Sequence, residues 1–221
     1  MLLLISTALL WTQRRGLPAA APRAADTEVR NAFDLFRNVP VRHVLIASGL
    51  ISMAWDLQTF LVPVYGTSVG LSASQIGLVL GSFAAATFVI RLAMPRLARR
   101  FNEWQVLVFT LLTAAIAFGL MPFFDTMLPM AAVTFLLGLG LGAAQPNVMS
   151  LLHDRTPEGR VGEALGVRTT LMNGSHVVLP LVFGAFGSVL GAGAAFWLIA
   201  AALASGGWTA HSRWSKHEVV R

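Results

Sequence analysis

The chain has no cysteine, one lysine, one tyrosine and little charge: 12% of its 221 residues are charged, against about 25% in an average soluble domain. Without cysteine there is no disulfide framework, no zinc–thiolate site and no cysteine nucleophile. No Gly-x4-Gly-Lys-Ser/Thr loop is present, so the sequence gives no sign of ATP-driven work by this chain. No Ser-His-Asp set is recognisable. His43, His153, His211 and His217 show no metal spacing with acids inside an apolar run. The expectation is therefore a protein that is not an enzyme and has no cofactor and no metal site.

What is present is apolar. Hydrophobic residues make up 56% of the chain, which excludes a disordered polymer and argues against a single soluble core. Long apolar runs lie at about 43–66, 72–94, 105–124, 127–150, 164–187 and 190–209. Each exceeds the roughly 18 residues at which a membrane span becomes the default. At about 1.5 Å per residue each can cross a hydrocarbon layer about 30 Å thick. The breaks carry turn chemistry: Gly66-Thr67-Ser68, Asn102-Glu103, Asp125, Thr156-Pro157-Glu158-Gly159 and Gly187-Ser188. The run 1–12 is too short to span. It reads either as the end of a helix that starts earlier or as a signal peptide, but Arg14 and Arg15 follow the apolar run where a signal peptide has its charge before it.

Charge supplies the orientation. All 16 basic residues fall in segment 13–42, in the 91–104 and 153–168 connections, or in the C-terminal tail. The connections near 67–71, 125–126 and 187–190 have none. This alternation is what the positive-inside rule gives for six spans with both ends cytoplasmic. The arginine clusters lie beside spans, so they read as anchors on membrane lipids and not as a nucleic-acid surface. Trp104, Trp208, Trp214 and Tyr65 fit interfacial belts. The organisation expected is a partial helix at 1–12, a cytoplasmic linker at 13–42, a six-helix bundle at 43–210 and a tail at 211–221. Within the linker, Phe33-Asp34-Leu35-Phe36-Arg37 reads either as a short helix on the inner leaflet or as a loop held only by its ends.

Three stretches resemble a known family. GLGLGAAQPNVMSLL (138–152) is similar to the tenth helix of the major facilitator superfamily, with a glycine ladder at Gly138 and Gly142 and then Gln145-Pro146. RTPEGRVGEALGVRTTLMNG (155–174) resembles the loop and eleventh helix that follow, with Pro157, Glu158, Arg160 and Gly162 in the family's pattern. RLAMPRLARRF (91–101) resembles the loop between helices eight and nine, where Arg100 matches while Pro95, Arg99 and Asn102 depart from the expected Gly, Asp and Gly. Pro180 and Gly184 retain part of a Gly-Pro-x-x-Gly-Gly-like pattern, with Leu179 in place of the first glycine. The resemblance implies an all-α integral membrane fold: the C-terminal six-helix half of a twelve-helix secondary transporter, with 1–12 as the end of helix six. It implies alternating access, a small-molecule substrate held between two halves, and a partner in the form of a missing N-terminal half or a second copy. The alternative is a truncated or regulatory membrane protein that does not transport.

Polar side chains concentrate in 43–66, 127–150 and 164–187, which suggests that these three helices line a wet cavity. The nearly all-apolar 105–124 and 190–209 are expected outside, against lipid. Asp56 is the one acid in mid-span, and an ionisable group there marks a function by default. Ser52, Asp56 and Thr59 are spaced to share one face. Asp56 lies 13 residues into its run and His176 lies 12 into a run of the same direction, about 20 and 18 Å deep, so the two are level and can pair. Gln145 and Asn147 either contact substrate or satisfy carbonyls freed by Pro146. Asn173 lies between these layers. Arg168, only about 6 Å in, reads as a snorkelling end-anchor or, less simply, a substrate clamp.

Overall fold

In hydrocarbon every backbone N–H and C=O must be bonded within the chain, and a helix achieves this segment by segment. A computed structural model describes the backbone of residues 32–157, 159–190 and 192–218, and within these all side chains except those of 32, 33, 180, 183–190, 192 and 211–218. Each apolar run is a helix: α1 Val39–Ser68, α2 Ala73–Leu97, α3 Glu103–Leu120, α4 Met127–Arg155, α5 Val161–Leu190 and α6 Ala192–Glu218. Among the described residues there is no strand. The partial helix at 1–12, the linker up to 31, Glu158, and the side chains of Pro180 and Gly184 lie outside the described residues.

Five helices, all but α5, contain segments long and apolar enough to cross a membrane among the described residues. At 30 residues, or about 45 Å, α5 has the length; its described part carries Arg168, Asn173 and His176. Local chemistry sets the ends. Ser72 caps α2, accepting from Gln75 N, while Gln75 Oε1 accepts from Ser72 N at 2.9 Å. Asn102 N donates to Gln105 Oε1 at 3.0 Å before α3. Gly70 and Gly159 turn the chain at φ +85° and +80°, where other residues would be strained.

Two sequence expectations change, and one open alternative is decided. Gly187-Ser188 does not break the chain: α5 runs through it to Leu190, because glycine interrupts a membrane helix only where the freed backbone finds other partners. Of the two readings of the segment before α1, the short helix is the one found: a 3-10 helix, Ala32–Phe36, packed into the bundle with Leu35 in the core at 1% exposure. And α3 is not an outer helix. It packs against α4, α6 and α1 and keeps only a stripe of Phe109, Leu112, Ile116 and Leu120 outward on its apolar surface. Apolar composition cannot separate lipid from protein interior, since lipid chains are as apolar as leucine.

For the same reason, close packing and polar contacts hold membrane helices together. The largest contact, α2 on α4, uses both glycines of the ladder. A Cβ on Gly138 would sit 2.5 Å from the Phe83 carbonyl oxygen, and one on Gly142 2.6 Å from Ile90 Cγ2 and 2.9 Å from Thr87 Cα. Hydroxyls bond backbone across the seams: Ser82 to the Ala131 carbonyl at 2.9 Å, Thr134 to that of Val79 at 3.0 Å, and Thr110 to that of Gly140 at 3.0 Å. At one end of the bundle Trp104 Nε1 donates to the Ala210 carbonyl at 3.2 Å. At the other, Tyr65 donates to that of Pro122 at 3.2 Å and meets Phe196 edge-on.

Candidate functional site

Every fourth residue of a helix returns to the same face. Along α1 that rule places Ser48, Ser52 and Asp56 on one stripe, and all three are buried: the serines at 2% and 5% exposure and the Asp56 side chain at 7%. The stripe meets α5. Ser48 Oγ accepts a hydrogen bond from Arg168 Nε at 2.7 Å. Eight residues further along both helices, His176 Nδ1 lies 2.9 Å from Asp56 Oδ1. Equal steps in the same direction mean that α1 and α5 run parallel, as expected for two helices that both leave the cytoplasmic side.

The two layers differ. In the outer one the carboxylate is enclosed while His176 is half exposed, with its side chain at 52%. Asp56 Oδ2 and Gln58 Nε2 are buried without a hydrogen-bond partner among the described residues. Such atoms are costly unless something outside the protein completes them. In the inner layer Arg168, 6% exposed, spans three helices: its Nη2 donates to Gln145 Oε1 of α4 at 3.0 Å. Among the described residues no group of three potential metal-ligating side chains occurs.

The remaining candidates are distributed as follows. Thr59 does not join the buried stripe: it is exposed and donates to the Trp55 carbonyl at 3.0 Å and to Gln58 Oε1 at 3.2 Å. Asn147 is buried and its amide bonds the Ala143 carbonyl four residues back in its own helix, not the Gly142 carbonyl that Pro146 leaves without a backbone N–H. Asn173 is exposed on α5 between the two layers. Pro157 accepts from Arg160 N in the turn before α5, and Arg160 pairs with Glu163 at 2.6 Å. Gly162 has open space where a Cβ would be. Arg100 is exposed at the α2–α3 connection.

Sequence reasoning passed over Ser48, Gln58 and the inward reach of Arg168. Ser48 was detectable: it extends the Ser52–Asp56 spacing by one turn. A residue count along α5 does not show that Arg168 turns into the bundle, where it is 6% exposed and bonded to α1 and α4. Gln58 left no periodic signal.

No match to the chain is found among curated proteins. The family model of the Major Facilitator Superfamily matches residues 44–216, from the first turns of α1 to the end of α6. A multi-pass bundle of six helices, a glycine ladder closing one seam and a polar stripe along another agree with that match: the chain belongs to the Major Facilitator Superfamily of membrane transporters.

Proposed function

We propose that this chain is the C-terminal half of a secondary transporter of a small molecule, working by alternating access, and that Asp56 and His176 carry its coupling proton. The observation behind this reading is the 2.9 Å contact between a nearly enclosed carboxylate and a half-exposed imidazole, with the second carboxylate oxygen unpartnered among the described residues. Two titratable groups in contact share protons as a unit. One faces the bundle and the other faces the open side, so a proton has a route between them. Substrate is held against α4 and α5, with Gln145 and Asn173 as its polar contacts. The six helices form one wall of the pathway; a second six-helix half, on the same polypeptide, a separate one or a second copy, forms the other. The protein sits in the cell membrane, with the 98–102 and 156–160 connections and both ends on the cytoplasmic side. Reporter fusions at Asn102 and Gly159 read inside, and those at Gly70 and Asp125 outside; an outside signal at Gly159 contradicts the orientation.

The test of coupling is Asp56→Asn, which keeps size and hydrogen-bonding capacity but removes the titrating group. In vesicles carrying a pH gradient and the complete transporter, the variant inserts normally and loses gradient-driven accumulation. Accumulation equal to the parent at every pH reduces Asp56 to a structural contact. A reconstituted monomer of this chain gives no saturable flux; flux appears on pairing with a matching half or on oligomerisation.

A further inference from the structure

We infer that the inner layer is a binding site for a small soluble oxyanion, the carboxylate or phosphate group of an organic acid, clamped by Arg168. This inference rests on the transport reading for the role of the cavity, but it stands on its own geometry. Arg168 is 6% exposed inside a membrane bundle. Ionisable side chains at such depth almost always pair with an opposite charge, with carbonyls or with each other. Among the described residues Arg168 meets only two neutral oxygens, Ser48 Oγ and Gln145 Oε1. A guanidinium has five N–H donors, so three of them have no protein acceptor among the described residues. No carboxylate lies within ion-pair distance of Arg168 among those residues. The nearest acid on the same seam, Asp56, is eight residues outward on α1, about 12 Å away along the helix, and is engaged by His176.

The two neutral partners orient the fork instead of neutralising it. Ser48 on α1 holds Nε and Gln145 on α4 holds Nη2, so the planar guanidinium is fixed between three helices with its charge unspent. A planar fork held in this way matches a carboxylate or phosphate, which it can take with two parallel N–H bonds. A lipid phosphate shares the same chemistry. The soluble source is favoured because Arg168 is tied inward to α1 and α4 and is nearly enclosed, whereas a headgroup site opens to the bilayer.

The test uses the full chain in phosphatidylcholine nanodiscs at fixed ionic strength. The probes are benzoate and inorganic phosphate, with benzylamine as a cation of the same shape as benzoate. Benzoate or phosphate raises the unfolding temperature in a saturable way, as any ligand selective for the folded state does; benzylamine does not. Arg168→Gln weakens binding of the anion by at least about tenfold, the size expected for losing a charge-assisted hydrogen bond. Arg96→Gln, an exposed arginine at the end of α2, leaves it unchanged. Because Arg168→Gln removes an inter-helix contact and can fail to fold, Gln145→Glu is the second variant. It keeps the shape and places a carboxylate on the guanidinium, so the bundle stays folded while anion binding is lost. Anion binding by Gln145→Glu at the parent's strength, or no effect of either anion on the parent, overturns the proposal. Replacing a third of the lipid by phosphatidylglycerol distinguishes the sources: an unchanged benzoate or phosphate response supports the soluble anion, and abolition of it assigns the site to lipid. Binding with no flux in any assembly removes the transport reading and leaves the site standing; proton-driven flux with no anion binding does the reverse.

Discussion

The α2–α4 seam and the α1–α5 seam are built by opposite means. At α2–α4, Gly138 and Gly142 let one backbone press on another, and the hydroxyls of Ser82 and Thr134 bond carbonyls across the gap. No ionisable side chain takes part in these contacts. At α1–α5 the helices are joined by long polar side chains, Arg168 and His176 reaching to Ser48 and Asp56. Among the described residues nothing lies within 4 Å of where a Cβ would stand on Gly166 or Gly174 of α5. The first seam is short-range and intolerant of added volume. The second is held at two points and leaves polar capacity over. One fixes the bundle, and the other leaves groups that can respond to a ligand.

The largest effect follows from volume. Gly138→Val is expected to prevent accumulation of folded protein, since even a Cβ meets the Phe83 carbonyl at 2.5 Å. The milder Gly138→Ala costs about 1–3 kcal/mol, the usual range for overpacking, while Gly174→Ala costs nothing measurable. Unfolding in detergent followed by circular dichroism reads both, and equal behaviour at the two sites erases the distinction between the seams. Next comes Asp56→Asn, whose expected signature is lost gradient coupling at nearly unchanged stability; a collapse in stability instead would make the α1–α5 seam structural in the same sense as the other. His176→Gln is expected to move the pH optimum of transport while preserving flux at that optimum. An unmoved profile with lower flux at all pH values would uncouple the histidine from Asp56. The smallest effect is Thr110→Val, which deletes the bond to the Gly140 carbonyl on the neighbouring α3–α4 contact. About 0.6 kcal/mol is expected, the average for such contacts in a membrane bundle.

The helices are legible because they depend on a one-dimensional signal, apolar length. Depth was legible for the same reason: counting 13 and 12 residues inward put Asp56 and His176 at one level, and the structure holds them 2.9 Å apart. Neighbourhood was harder to read. Nothing in the composition of α3 distinguishes burial among helices from burial in lipid, and the outward stripe of Phe109, Leu112 and Ile116 is visible only once the packed face is known. Arg168 reads as an end-anchor in the sequence because its partners, Ser48 and Gln145, lie on other helices and leave no mark along α5. Gln58, 1% exposed, occupies a position that the pattern reserves for an apolar residue.

The matching eight-residue interval on α1 and α5 makes the two polar contacts a ruler. Parallel helices with apolar flanks can slide past each other at little cost, because each turn of aliphatic surface resembles the next. Here a slip of α5 by one turn would set Met172 against Ser48 or Asp56 and part both contacts together, stranding a guanidinium and a carboxylate in a medium that solvates neither. The pair therefore holds α5 to a single axial position. An event at one contact is felt at the other as a change in the force that keeps the helix from sliding.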